Sequence, residues 1–508
     1  FLNYLMFELK NIKPREFQLS ILETCKNNNT LVVLPTGIGK TLISLLLAIE
    51  RLNKFPESKI LILSPTKPLS QQHVNTFKNY TNINYNEILL LTGLIEANKR
   101  KDLWPNSKVI VATPQTIQKD LENFRINLKD FSMLCIDECH RSRENFANTH
   151  VAKYYFEQAL NPRVIALTAS PGGTLDKIKD VMKNLNLEAV EIRSDLDKDV
   201  KQYIQKREIE LIEVELPVEL KNLHSIIKNV YLNKVNDLKK LGFTKPSHLI
   251  NKKDLLMLQI QLRKNLNRGD RSAFYGISLT ALLIKLDYML ELLEIQGLKS
   301  LSKFFDKLKQ DQSKAARVIL QDKRMQDAIK TCNELIEKGL DHPKFNKLKE
   351  FILNEIKINK NIKIILFANY RDTIDNIITE LKKLDIKCVK LIGQKLGLTQ
   401  KQQISTVRTF EESDDNVLIC SSIGEEGLDI KGVNIVIFYE AISSEIRRIQ
   451  RMGRVARLEA GKILFLIAKN TRDEAYFWSS YQKEKKMKKT LYGLREKNIQ
   501  DLLNEKSE

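Results

Sequence analysis

The 508-residue chain carries 83 Lys and Arg against 63 Asp and Glu, a formal net charge of +20. With 43% hydrophobic residues it can build cores for two to four domains, which excludes a disordered chain. A cationic surplus of this size points to a polyanionic partner, nucleic acid first, against the plainer alternative of a solvated basic surface.

The chain opens on FLNYLMFELK, which lacks the basic region and cleavage site of a signal peptide, and no apolar run reaches membrane-spanning length. A soluble, cytoplasmic protein with no membrane partner is expected. Over the first 200 residues, short β-branched or Leu-rich runs each end in a polar turn. They are TLVVLPTG, KILILSPT, KVIVATPQ, MLCIDECH and RVIALTASPGG, with helix-compatible stretches between them. Strands alternating with helices predict a parallel sheet covered on both faces, with ligands beyond the carboxyl ends of the strands.

In LPTGIGKT, Pro35, Thr36, Gly37, Ile38, Gly39, Lys40 and Thr41 follow a strand and precede the apolar helix LISLLLAIE. That is the context of a phosphate-binding loop, although Leu34 stands where the strict pattern has a small residue. A mere turn is the alternative. Lys40 would reach the β and γ phosphates and the Thr41 hydroxyl would ligate Mg²⁺. Asp137-Glu138 at the end of the run MLCI fits the same chemistry: Asp137 as an outer-sphere Mg²⁺ ligand, Glu138 as general base for water. N-capping acids are the alternative. His140 is placed to link this site to other motifs. Cys135 and Cys139, like the other four cysteines, form no C-x-x-C pair and are expected to be core residues.

The alternating run KREIELIEVELP is expected to be a strand of a second α/β domain, which makes the helical segment after it an insertion. From Val218 to Pro343, Leu and Ile recur at helical spacing among lysines. This segment holds 23 Lys and Arg against 14 Asp and Glu, so nearly half of the surplus sits there. Lys239, Lys240, Lys252, Lys253, Arg263, Lys264 and Arg268 are its candidate nucleic-acid contacts; a helical brace with solvated lysines is the alternative. After DHPKF the strand pattern returns in IKIILFANYRDT, DIKCVKLIG, NVLICSSIGEEGLDI, VNIVIFYEA and KILFLIAKN. SSEIRRIQRMGRVAR brings Gln450, Arg451, Arg454 and Arg457 together, and Arg454 and Arg457 share a face if helical. They suit a clamp on the γ phosphate from across a cleft, against the alternative of a solvated basic helix. Gly427 and Asp429 lie in GEEGLDI, where Asp429 would accept from the ribose or orient such an arginine. The tail KEKKMKKTLYGLREK is either a basic helix or a frayed end.

Taken in order, PREFQ, PTGIGKT, SPTKPL, ATPQT, DECH, TAS, FANYRDT, GEEGLDI and QRMGRVAR resemble the motifs of superfamily 2 helicases. DECHR, LTASPGG, HPKFNKL and EEGLDI are most similar to the archaeal Hef helicases, a family that includes the Fanconi anaemia M protein and is related to Dicer and the innate-immune RNA-sensing helicases. The resemblance implies an α/β fold of two RecA-like motor domains with an all-helical insertion between them. The corresponding bounds are 1–205 for the first motor domain, 206–217 for a connector belonging to the second, 218–343 for the insertion and 344–508 for the second domain with its basic tail. It implies that Arg15 and Gln18 contact the nucleotide, Gln18 as adenine reader. Thr66, Lys67, Thr113, Gln115, Arg371 and Ser422 become backbone contacts to nucleic acid, and Thr168 and Ser170 couple hydrolysis to domain motion.

The implied activity is ATP-dependent, Mg²⁺-dependent translocation on forked or branched DNA in replication-fork repair or restart, in a nucleoid-associated protein if the source is archaeal. A double-stranded RNA translocase of the Dicer type and an ATP-gated binding scaffold are the alternatives. Three features depart from the family. Ala456 replaces a glycine of the last motif, the stretch around Gln394-Lys395 is short, and no nuclease signature follows before Glu508, so no nuclease activity is expected. Protein partners are not legible.

Overall fold

The computed structural model describes residues 6–172, 174–195, 197–203, 207–271, 273–393, 399–421, 430, 432–453 and 461–496. In the first 200 residues, strands β1 (Thr30–Val33), β2 (Lys59–Leu63), β3 (Ile88–Leu91), β4 (Val109–Ala112), β5 (Phe131–Asp137), β6 (Val164–Thr168) and β7 (Ala189–Ile192) form one parallel sheet. Its order is β3-β4-β2-β5-β6-β1-β7. Every residue of β1, β4 and β6 is buried, as their unbroken apolar runs require of strands covered on both faces. The register sets Val33 beside Thr168 and Asp137 beside Leu167. Three chemistry-bearing strand ends, those of β1, β5 and β6, thereby become neighbours.

The second sheet has the order β10-β11-β9-β12-β13-β8 and is again parallel. Its strands are β8 (Arg207–Val214), β9 (Ile364–Phe367), β10 (Cys388–Leu391), β11 (Val417–Cys420), β12 (Ile435–Phe438) and β13 (Gly461–Ala468). β8 pairs with β13 along its full length, from Arg207 against Gly461 to Val214 against Ala468. The chain therefore enters the second sheet, leaves it for the insertion and returns.

The insertion consists of helices Val218–Lys240, Lys252–Asn267, Ala273–Ile295, Leu298–Gln310, Lys314–Gln321 and Lys323–Glu337 around one core. Helix Ala273–Ile295 is apolar on nearly every side and buried by its neighbours, as a central helix must be. Its end is fastened to the second domain. Arg472 reaches Asp287 at 2.8 Å, Tyr370 donates to Glu291 at 2.7 Å, and buried His342 meets the Glu294 carbonyl at 3.0 Å. Just beyond, Lys344 and Asp473 form a fully buried ion pair at 2.5 Å. Asp473 also accepts from the Ala441 and Ala468 amides, so its charge is satisfied where desolvation would otherwise be costly.

The basic tail is helical. Helix Arg472–Glu496 starts against the second domain through Phe477 and ends in the first, where Met487, Leu491 and Leu494 join the core. The Tyr492 hydroxyl is hydrogen-bonded to Ser194 there. Cys135 and Cys139 lie in the core, and burial pushes both thiols well above their usual range. Among the described residues no helix is long and apolar enough to cross a membrane.

Candidate functional site

The loop after β1 carries Gly37 and Gly39 at φ of +84° and +94°, conformations that glycine adopts without strain. They turn the chain into helix Lys40–Lys54, whose N-terminus thus begins at the loop after β1, the arrangement that receives an anion. Gly39 has a second reason to lack a side chain, because a Cβ there would lie 2.6 Å from Gln18 Nε2. Gln18, itself buried, donates that amide to the Ile38 and Gly39 carbonyls at 3.3 Å each, and Arg15 reaches the Ile38 carbonyl at 3.3 Å. Both thus hold the loop from behind, with Arg15 stacked over Tyr203. The Lys40 ammonium is folded onto the Leu34 and Pro35 carbonyls at 3.2 and 3.3 Å. Pro35, Thr36, Ile38 and Thr41 complete the loop.

Asp137 ends β5, and Glu138 follows it in the left-handed region at φ +51°. That turn separates the two carboxylates. The Asp137 carboxylate accepts from the Glu138 amide and lies 2.9 Å from His73 Nε2. Burial pushes the Asp137 pKa up, but the His73 hydrogen bond and charge, Lys40 and the Glu138 amide outweigh it, so the group is held below the ordinary carboxylate value. Glu138 points the other way: its Oε2 lies 3.2 Å from His140 Nδ1, which is also 3.3 Å from Thr168 Oγ1. Thr168 Oγ1 accepts from the Ser170 amide at 3.0 Å, and the Ser170 hydroxyl donates to Met487 Sδ at 2.8 Å. His140, Thr168 and Ser170 therefore form one polar chain from Glu138 to the helix arriving from the second domain.

Thr41, in the first turn of helix Lys40–Lys54, and Asp137, at the end of β5, supply oxygen donors, and no cluster of three or more His, Cys, Asp or Glu suited to a metal occurs among the described residues. Such a sparse set fits Mg²⁺, which keeps waters and shares phosphate ligands, rather than an ion caged by protein alone.

From the second domain, helix Glu445–Met452 presents Arg448, Ile449 and Met452 to a cavity of about 470 Å³, whose opposite wall includes Pro35 and Thr36. Gly453 ends this helix directly on the loop, where a Cβ would come within 2.6 Å of Thr36 Cβ. Gln450 is buried, and Arg451 is a core side chain, bonded to Asn369 at 2.7 Å and lying over Phe367. Arg454, Arg457, Ser422, Gly427 and Asp429 lie outside the described residues.

Five of the expected nucleic-acid contacts sit where three helices begin beyond strand ends. Thr66 and Lys67 open helix Lys67–Tyr80, Thr113 and Gln115 open Pro114–Glu122, and Arg371 opens Arg371–Lys382. The Ser64 and Thr66 hydroxyls are buried without a hydrogen-bond partner, and Thr113 is bonded to Thr116 at 2.8 Å. Gln115 and Arg371 are exposed. In the insertion, Lys239, Lys240, Lys252, Lys253, Arg263, Lys264 and Arg268 are all exposed; Lys240 pairs with Asp237 and Lys252 lies over Tyr288.

Sequence reasoning missed His73 and Gly453, and it left the tail open between a basic helix and a frayed end, of which the structure shows the helix. A lone histidine on an amphipathic helix carries no signal of a carboxylate partner. Gly453 has an ordinary helical backbone, so only the approach of another domain explains it. The tail did carry a signal, since Met487, Leu491 and Leu494 fall at helical spacing among the lysines.

Family models match three segments: "DEAD/DEAH box helicase" over residues 15–178, "Putative ATP-dependent RNA helicase, helical bundle" over 219–338, and "Helicase conserved C-terminal domain" over 343–459. The chain is 37% identical to "Putative ATP-dependent RNA helicase MJ1505" of Methanocaldococcus jannaschii across 100% of its own length and 64% of that protein's. It is 31% identical to "ATP-dependent DNA helicase mph1" of Neurospora crassa over 92% of its length and 42% of the relative's. The chain thus spans under two thirds of either curated relative. The crystal structure of the Pyrococcus furiosus Hef helicase domain superposes with a TM-score of 0.73 at 41% identity, covering 92% of this chain and 98% of that one.

Proposed function

The chain belongs to the superfamily 2 helicases of the Hef and Fanconi anaemia M type, and from that membership we propose that it is an ATP-driven translocase acting on forked or branched DNA during replication-fork repair or restart. ATP phosphates sit on residues 35–41, with Lys40 at the β and γ phosphates and Arg15 and Gln18 toward the base. Thr41 and Asp137 hold Mg²⁺, partly through water; when bound, the ion neutralises charge on the phosphates. Glu138 orients and deprotonates the attacking water, and Gln450, Arg454 and Arg457 close on the nucleotide from the second domain, with Gly427 and Asp429 beside it. Thr66, Lys67, Thr113, Gln115, Arg371 and Ser422 hold the strand by its phosphates, so the grip is independent of sequence and weakened by salt. The basic insertion engages the branch.

The observation that carries this proposal is the seating of Gly453 on Thr36. It sets the end of helix Glu445–Met452 against the phosphate loop, and the arginine segment follows that helix in sequence, which supports the meeting a two-domain motor needs for hydrolysis. DNA is supported by the printed name of the Neurospora relative. The names of the Methanocaldococcus relative and of the helical-bundle model speak of RNA, so duplex RNA is the second reading. The test is steady-state ATP hydrolysis without nucleic acid and with single-stranded DNA, linear duplex, forked DNA or duplex RNA. Strongest stimulation by the fork is expected. Stimulation mainly by duplex RNA would overturn the DNA reading. A Glu138→Gln variant that behaves unchanged would leave an ATP-gated scaffold in its place.

A further inference from the structure

Helices Lys252–Asn267 and Ala273–Ile295 form a hairpin, and backbone bonds from Gly269 to Leu266 and from Asp270 to Asn265 close the end of the first helix. Behind the turn the helices pack closely: a Cβ on Gly276 would lie 2.9 Å from Leu262. The two helices are therefore packed together close to the turn. Leu255 is buried and Leu258, Leu262 and Leu266 half-buried on one side of the first helix. The other side exposes Leu256, Met257 and Ile260, and beyond the turn Phe274 and Tyr275 are 62% and 52% exposed. Interspersed with them are exposed Lys253, Arg263, Lys264, Arg268 and Arg271, none in an ion pair among the described residues.

So many large apolar side chains on one hairpin mark a contact surface, since scattered single exposures are the norm. The charge identifies the occupant. Unpaired cations beside aromatic rings match a polyanion that also offers flat apolar faces, which is the chemistry of nucleobases on a phosphate backbone. Intact duplex hides those faces in its stack. They become available only where stacking is interrupted, at a branch, and apolar side chains placed there act as wedges.

We propose that Phe274 and Tyr275 at the end of the insertion hairpin are a stacking pin that covers the base faces exposed at a DNA branch, while Arg263, Lys264, Arg268 and Arg271 hold the flanking phosphates. This rests on the DNA-translocase proposal above and deepens it, because it makes branch preference a property of named side chains. Both rings are exposed, so their removal leaves the hairpin core intact.

The test uses the full chain and forked DNA carrying 2-aminopurine either at the branch or in the middle of one arm. Wild type is expected to change the fluorescence at the branch and not in the arm. Phe274→Ala/Tyr275→Ala loses the branch signal and roughly tenfold or more of the preference for fork over linear duplex. It keeps duplex affinity and nucleic-acid-independent ATP hydrolysis, and the swap Phe274→Tyr/Tyr275→Phe behaves as wild type. Three results overturn the pin. The alanine variant retains the branch signal and fork preference, or it loses fork and duplex binding in equal proportion, or its only defect is lost self-association, which marks the hairpin as a contact between copies. Wild-type ATP hydrolysis that no DNA stimulates takes down the translocase proposal together with the pin. Normal DNA stimulation with an unaffected alanine variant removes the pin alone.

Discussion

Replacing Gly453 by alanine tests the interdomain contact with one added carbon. The residue has φ −71° and ψ −1°, so alanine adopts the backbone without strain and the second domain keeps its stability. The added Cβ would meet Thr36 Oγ1 first, and would lie 2.6 Å from Thr36 Cβ and 2.9 Å from Thr36 Cγ2. Carbon pairs rest at about 3.5–4.0 Å, so the helix end must withdraw by about 1 Å. Overpacking of this kind costs about 1–3 kcal/mol. Applied to the closed arrangement alone, that is a loss of roughly fivefold to a hundredfold or more in kcat if the proposed closure on the nucleotide depends on this contact. Nucleotide affinity is expected to change little, since residues 35–41 belong to the first domain. Steady-state ATP hydrolysis on forked DNA, nucleotide binding and a melting curve separate the effects. Wild-type kcat in Gly453→Ala would show that Gly453 and Thr36 do not meet during turnover and refute the reasoning.

Two further perturbations concern buried histidines. His73→Leu removes the side chain next to Asp137; by analogy with outer-shell partners of metal ligands, half-maximal activity should require roughly tenfold to a hundredfold more Mg²⁺ at saturating ATP. An unchanged Mg²⁺ titration would make His73 a packing residue only. His342 is pushed down to about 3, first by burial and then by the Lys344 charge, partly offset by its bond to the Glu294 carbonyl. Its neutral form is the folded one, so its contribution is complete above the unfolded value near 6.5 and drains away as pH falls toward 3. The slope is about 1.4 kcal/mol per pH unit, or roughly 2 kcal/mol between pH 6.5 and 5. His342→Asn, which keeps a capping acceptor for the Lys344 amide, should flatten that limb in denaturant titrations at pH 7 and 5. Parallel wild-type and variant curves would contradict the assignment.

Most of this architecture was legible because function and topology coincide at strand ends. LPTGIGKT, CIDECH and LTASPGG announce both a strand and the chemistry at its end. β3 and β7 were not announced: ILLL and AVEI lie between helices with no motif at their ends. The run KREIELIEVELP was assigned to the second domain from its alternation, and β8 pairs there with β13. Contacts between domains were beyond reach for a different reason. They depend on how two independently patterned surfaces are brought together, which a single sequence does not encode locally. Gln18 shows the limit in the other direction, because a residue marked as an adenine reader also commits its amide to the Ile38 and Gly39 carbonyls.

The tail helix ties these contacts into one mechanical element. At its start Arg472 holds Asp287 and Glu294 of the insertion's central helix; near its end Met487 receives the Ser170 hydroxyl and Leu491 and Leu494 enter the first domain's core. A helix of 25 residues is about 37 Å long, and its two ends are held by the insertion and by the first domain. Among the described residues, the first domain's contacts with the second include a close approach at Gly453 and a packed helix end at Met487. The helix end lies one hydrogen-bond chain away from Glu138. In the proposed cycle a change at the γ phosphate that moves Glu138 reaches Ser170 without crossing the cleft, and from there the same helix carries it to the insertion. The central insertion helix anchored by Arg472 also begins with Phe274 and Tyr275, so in the proposed cycle the same two helices and their shared ion pair would connect the phosphate site to the branch.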